Sequence, residues 1–231
     1  MQSVAMSSEV YQGQFGEFTI TKGDRRGVVV YRSALMVAAL SFAISSGLVL
    51  WQPQALSSIQ IAWAITGLFG LFSVAMGVAL WTIHIYMRPL HRALQVLWGI
   101  GTVSAIALAA TSLPNPLALA VFQQPLMVLG IGFTFAALTG LFVKEAFCFN
   151  RLETKALAPV VPLLLLGHLL GFMPLQGKVV LLAIWASLFL VFAIRKAFQA
   201  IPPDIGDKSV FDYLAKVRSG EISPEAGQAV S

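Results

Sequence analysis

The stretch KEAFCFNRLETK, residues 144–155, places five charged side chains and the single cysteine of the chain within twelve positions. On a helix, Lys144, Cys148 and Arg151 recur at spacings of four and three and share one face, with Glu145 and Phe149 beside it. Cations that close would lower a thiol pKa and make Cys148 reactive. A nucleophile also needs a base and a positioned substrate, and the stretch contains no histidine. Pairing among Lys144, Glu145, Arg151, Glu153 and Lys155 at a headgroup layer is the simpler reading. These five are candidates for docking a cytoplasmic partner or an anionic lipid, and no residue is assigned a catalytic role.

His168 stands in LLLLGHLLG, about twelve residues into its apolar run. An imidazole at membrane depth could ligate haem or chlorophyll magnesium, or relay a proton. With no second membrane-buried histidine or carboxylate to partner it, a neutral histidine hydrogen-bonded to a neighbouring helix is the simpler reading, and no cofactor is expected. His84 and His91 are seven apart, but Pro89 between them bends or ends a helix, so no joint metal site is expected. Trp81, Tyr86 and Arg88 beside them suit interfacial anchoring. Gln123 and Gln124 precede Pro125, and amides at a broken helix can form a transport site. With His168 they are the buried polar candidates, although capping a span at the outer interface would need no function.

The elements that carry these residues follow from composition. Of 231 residues, 58% are hydrophobic and 11% charged, with a mean hydropathy of +0.81, whereas soluble domains carry roughly 25% charged residues. Six apolar stretches, at about 33–51, 59–82, 93–110, 125–143, 156–174 and 179–194, are long enough to span a bilayer. The fold expected is an all-α polytopic membrane helix bundle. Fourteen of the fifteen Lys and Arg residues flank one side of these spans and only Lys178 the other. That bias places both termini on the cytoplasmic or stromal side. It also explains the net charge of +5 without nucleic acid, for which no recognition motif is present. The first 20 residues lack the basic start and short apolar core of a secretory signal, so no cleavage is expected. One cysteine excludes an intramolecular disulfide.

Local signals divide the chain into an arm (1–21), a six-helix membrane domain (22–198) and a tail (199–231). YQGQFGEFTI alternates weakly, as a short strand or an extended arm. Thr21 and Asp24 form a capping-box-like start that carries the first helix into the membrane from outside. Asn115 and Pro116 open a short interfacial piece, and Pro125 opens the fourth span. In the tail, Asp207 as cap, Val210, Leu214 and Val217 as apolar stripe and Gly220 as stop predict a short amphipathic helix. Ser223 and Pro224 could start another turn. Small residues at four-residue spacing (Ala39, Ala43, Gly47; Gly101, Ala105, Ala109; Gly132, Ala136, Gly140) predict close helix contacts or an oligomer.

The strings FGEFTITKGDRRGVVVYRSAL, LTGLFVKEAFCFNRLETKALAPVVPLLLLGHLLG and IPPDIGDKSVFDYL together resemble an integral membrane family of cyanobacteria and plastids, domain of unknown function 2301. The resemblance implies a photosynthetic source and a thylakoid or plasma membrane, and brings no catalytic residues with it. Packing stripes and few buried ionisable groups favour a non-enzymatic scaffold or assembly subunit beside photosynthetic complexes. The bilayer and a membrane protein complex would be its partners. A small-solute transporter and a haem- or pigment-binding protein are the alternatives.

Overall fold

The computed structural model describes residues 9–51, 58–85 and 87–222. Six of its helices are long and apolar enough to cross a membrane: α1 (Lys22–Trp51), α2 (Ile59–Thr82), α3 (Arg88–Ser112), α5 (Val128–Phe149, entered through a 3₁₀ turn at Pro125–Met127), α6 (Leu152–Leu169) and α7 (Leu175–Ala197). A short α4 (Leu117–Gln123) precedes that turn and starts after Pro116, as its sequence predicts. At the start of α1 the Thr21 amide donates to Asp24 Oδ2 (2.8 Å) and the Asp24 amide to Thr21 Oγ1 (3.1 Å), closing the capping box. The chain leaves the helix after Thr82 and re-enters it at Arg88, just before Pro89, so His84 lies in the break and His91 in α3. Tyr86 lies outside the described residues.

Two spans end well away from their expected C-terminal bounds. The fourth runs on to Phe149, so KEAFCF is helical, and it stops where Asn150 takes a left-handed conformation (φ 50°). Asparagine tolerates that region because its short polar side chain can bond locally. The fifth ends at Leu169 rather than 174, and Gly171 (φ 69°) turns the chain toward α7.

The helices close a ring: α1 packs on α2 and α7, α7 on α6, α6 on α5, α5 on α3, and α3 on α2, with α4 against α2 and α3. Aromatic side chains fill the ring. Phe42 lies 4.3 Å from Trp185 between ring centroids, Phe72 5.5 Å from Phe135, and Phe142 meets Phe189 edge-on at 5.2 Å. Contact of this kind, rather than water expulsion, holds helices together in lipid. The small-residue stripes contribute unevenly. A Cβ on Gly101 would overlap the Thr134 amide of α5, and one on Gly140 the Leu94 side chain of α3. Gly47 meets nothing and Ala136 is exposed, so those parts of the stripes face outward because the ring turns their side away from its neighbours.

Both chain ends gather at one end of the bundle. The expected strand or arm is an antiparallel hairpin of β1 (Val10–Gly13) and β2 (Gly16–Thr19). It rests on the tail, which forms α8 (Pro202–Ile205) and α9 (Ser209–Ser219). Asp207 Oδ2 accepts the Gln14 amide (2.6 Å), Ser209 Oγ accepts the Phe15 amide (3.0 Å), and Phe15 stacks on Tyr213 at 4.0 Å. Gly220 (φ 78°) ends α9 as predicted. Ser223 and Pro224 lie outside the described residues.

Candidate functional site

The end that holds both chain ends carries a buried network of charge. Glu145, near the end of α5, is fully buried and accepts from Lys196 of α7 through Oε2 (2.6 Å) and from Lys144 through Oε1 (2.9 Å). Tyr31 of α1 donates to the same Oε1 at 3.1 Å. Lys196, also fully buried, bridges to Asp204 of α8 at 2.5 Å, and its ammonium sits 3.8 Å from the Phe149 ring centroid. Arg32 of α1 completes the set. It pairs with Asp204 Oδ2 (2.6 Å) and donates to the Gln199 and Ala200 carbonyls just beyond α7. Charges taken out of water persist only when paired and bonded on several sides, and here each carboxylate meets at least two cationic donors. Four elements distant in sequence are tied at one point.

Arg32, Lys144 and Lys196 face two carboxylates, so this knot carries one more cation than anion. Lys144 borders a cleft of about 480 Å³ whose wall also includes His84, Phe147, Cys148, Pro203 and Asp204. Burial pushes the His84 imidazole below its ordinary pKa, which favours the neutral ring. Cys148 is exposed on the same wall. The cleft therefore pairs a largely apolar lining with an ammonium that is already held by Glu145.

Water solvation of the 144–155 charges, the reading their turn position suggests, does not describe them all. Glu145 is 0% exposed and Glu153 5%. Glu153 pairs with Arg195 at 2.9 Å, joining the start of α6 to the end of α7, and Lys155 alone of the acidic and basic residues in the stretch is fully exposed. Arg151 donates through Nη2 to Gln199 Oε1 (2.7 Å), while its Nη1 is buried without a partner. The physical reason is the length of α5: two further turns carry Lys144 and Glu145 into the bundle's end instead of a loop.

The buried polar candidates are corrected. Gln123 and Gln124 are exposed, because they end α4 and open the turn to α5 with their backbones. His168 lies in the last turn of α6 and is half-buried, since that helix both starts and ends earlier than expected. Its Nδ1 lies 3.2 Å from Lys178 Nζ and its Nε2 3.5 Å from the Val121 carbonyl. A haem or chlorophyll metal would have to displace one of them. His91 is 2.6 Å from the Leu80 carbonyl, apart from His84.

Tyr31, Arg32, Lys196 and Asp204 were not among the sequence candidates. Arg32 and Lys196 had been counted only as topological charge. The available signal was their position, within or at the edge of apolar helical runs where an ionisable group is rarely left unpaired. The match to known families covers most of this site: residues 78–213 fit the family described as uncharacterised integral membrane protein, domain of unknown function 2301. No curated protein and no solved structure matches the chain.

Proposed function

We propose, since this chain belongs to the integral membrane family domain of unknown function 2301, that it is a non-enzymatic assembly subunit docking through its basic end onto an acidic membrane-protein partner. One observation carries the reading. The buried knot of Glu145, Lys196, Asp204 and Arg32 ties the ends of α5 and α7 and the short α8 to the first half of α1, and a platform of basic and apolar side chains rests on it. Phe147, Leu152 and Phe198 are 86%, 79% and 87% exposed there, beside Arg151, Lys155 and Arg195. Exposed aromatics next to a guanidinium suit an interface, where arginine and aromatic anchors supply most of the binding energy.

Transport has less support. Gln123 and Gln124 stand outside the cavity beside His168, and that cavity is lined mainly by apolar side chains. A pigment-binding role rests on His168 alone, and an absorption spectrum of the purified protein tests it. The photosynthetic membrane setting comes from the sequence resemblance.

The docking reading is tested on a native gel after mild detergent extraction. Wild type should migrate with its partner complex, and Phe147→Ala with Phe198→Ala should migrate alone at unchanged abundance. Wild type running alone from native membranes would remove the proposal.

A further inference from the structure

At the end of the bundle opposite the knot, Lys178 and His168 meet at the rim of an apolar cavity. The Lys178 ammonium has three donors, one of which points at His168 Nδ1. Among the described residues its side chain joins none of the ion pairs. It also sits in the first turn of α7, which has Pro174 as cap, no side-chain cap bond and no acidic residue. A cation at the positive end of a helix is unfavourably placed unless an anion joins it.

Below this rim the cavity measures about 310 Å³, with Phe69, Val121, Phe135, Leu164 and Leu182 in its wall. Thr66 is the remaining polar side chain there, and its hydroxyl is already bonded to the Ala62 carbonyl and the Ala118 amide. A second cavity of about 190 Å³ adjoins it, with Val49, Ile65, Phe69, Phe135 and Leu182 in both walls, and reaches Ser41. Val49 and Ser41 lie on one helix, so the second cavity runs about 12 Å along α1 at 1.5 Å per residue. Ser41 and Ser45 bond their own helix carbonyls, and the buried Ser46 is the other hydroxyl in that wall. The result is a narrow apolar slot with one cation at its outer end.

We infer that this slot binds a single-chain carboxylate amphiphile, a long-chain free fatty acid. Its carboxylate would rest on Lys178 and the N-terminus of α7, and its acyl chain would lie between α1, α2, α5 and α7. One ammonium matches one negative charge, and a single slot accepts one chain, whereas a diacyl phospholipid brings two. The carboxylate accepts from the two ammonium donors that His168 leaves open.

Binding of tritiated palmitate to the purified full-length protein in phosphatidylcholine nanodiscs tests this, read by scintillation proximity. Saturable binding at one site per chain is expected, with hexadecanol competing about tenfold or more less well through the loss of a charge-assisted bond, and phosphatidylglycerol about as poorly because it brings two chains to a slot for one. Lys178→Gln should weaken binding by a similar factor, about tenfold, while Lys178→Arg keeps it within about threefold. Ala118→Phe, which fills the slot, should abolish it, each variant being checked for wild-type thermal unfolding. Hexadecanol competing as well as palmitate overturns the carboxylate assignment, and phosphatidylglycerol doing so overturns the free fatty acid as occupant. Saturable binding that survives Ala118→Phe, or that is lost equally in the arginine and glutamine variants, overturns the site itself.

Discussion

Lys196 and Glu145, on α7 and α5, meet at 2.6 Å with neither side chain reached by solvent. Each has a further partner of opposite charge, Asp204 for Lys196 and Lys144 for Glu145. This geometry makes the pair a structural clamp at the basic end, and it determines how the chain should respond to substitution.

Lys196→Met should be strongly destabilising, by about 3–5 kcal/mol, because it strips Glu145 and Asp204 of their shared cation at full burial. Glu145→Gln with Lys196→Met should cost less than the sum of the two single changes, since the double variant leaves less charge unpaired. Thermal unfolding in detergent measures all three. Additive losses would show that the two groups are not coupled.

Arg151→Lys should leave insertion and abundance normal but weaken association with a partner complex or anionic lipid. The guanidinium already spends Nη2 on Gln199, and a lysine cannot hold that bond and present a second donor in the same plane. Cys148→Ser should leave the association intact. The thiol is exposed at the cleft, so an impermeant maleimide should label it once the basic face is opened. Loss of association in the serine variant with a normal lysine variant would reassign the site to cysteine chemistry.

Gly101→Ala should lower the unfolding temperature in detergent, at a cost of about 1–3 kcal/mol, because the added Cβ overlaps the backbone amide of Thr134 and must push α3 from α5. Gly47→Ala, whose Cβ meets nothing, is the control. Equal behaviour of the two would remove the α3–α5 contact as a determinant of stability.

Attachment of the hairpin to the tail should weaken in acid. Partial burial raises the Asp207 pKa, but bonds from Ser209 and the Gln14 amide outweigh it and hold the carboxyl below the usual carboxylate range. A depressed carboxylate stabilises the fold above its unfolded pKa and loses that contribution as pH falls through the folded value. Hydrogen exchange at Gln14 and Phe15 should therefore be protected at neutral pH and lose protection, relative to intrinsic rates, as pH falls below the usual carboxylate range. Asp207→Asn should abolish the pH dependence, and persistence of it would assign the effect to another group.

The sequence by itself determined the membrane class, the six spans, the gathering of basic residues at one end and the stops at Pro89 and Gly220. Each of these is a local property: twenty apolar residues must become a helix in lipid, where backbone groups have no other partner, and proline and glycine act on their own turn. Only the tertiary structure decided which charges are buried. Arg32, Glu145 and the Lys196–Asp204 stretch are far apart along the chain, and these four residues are indistinguishable from ordinary flanking charges until the ring order brings α1, α5, α7 and α8 together. The same holds for His168 and Lys178, one from the end of a span and one from the start of the next. Ion pairing and cavity formation depend on distances between elements, and neither hydropathy nor helical period encodes those.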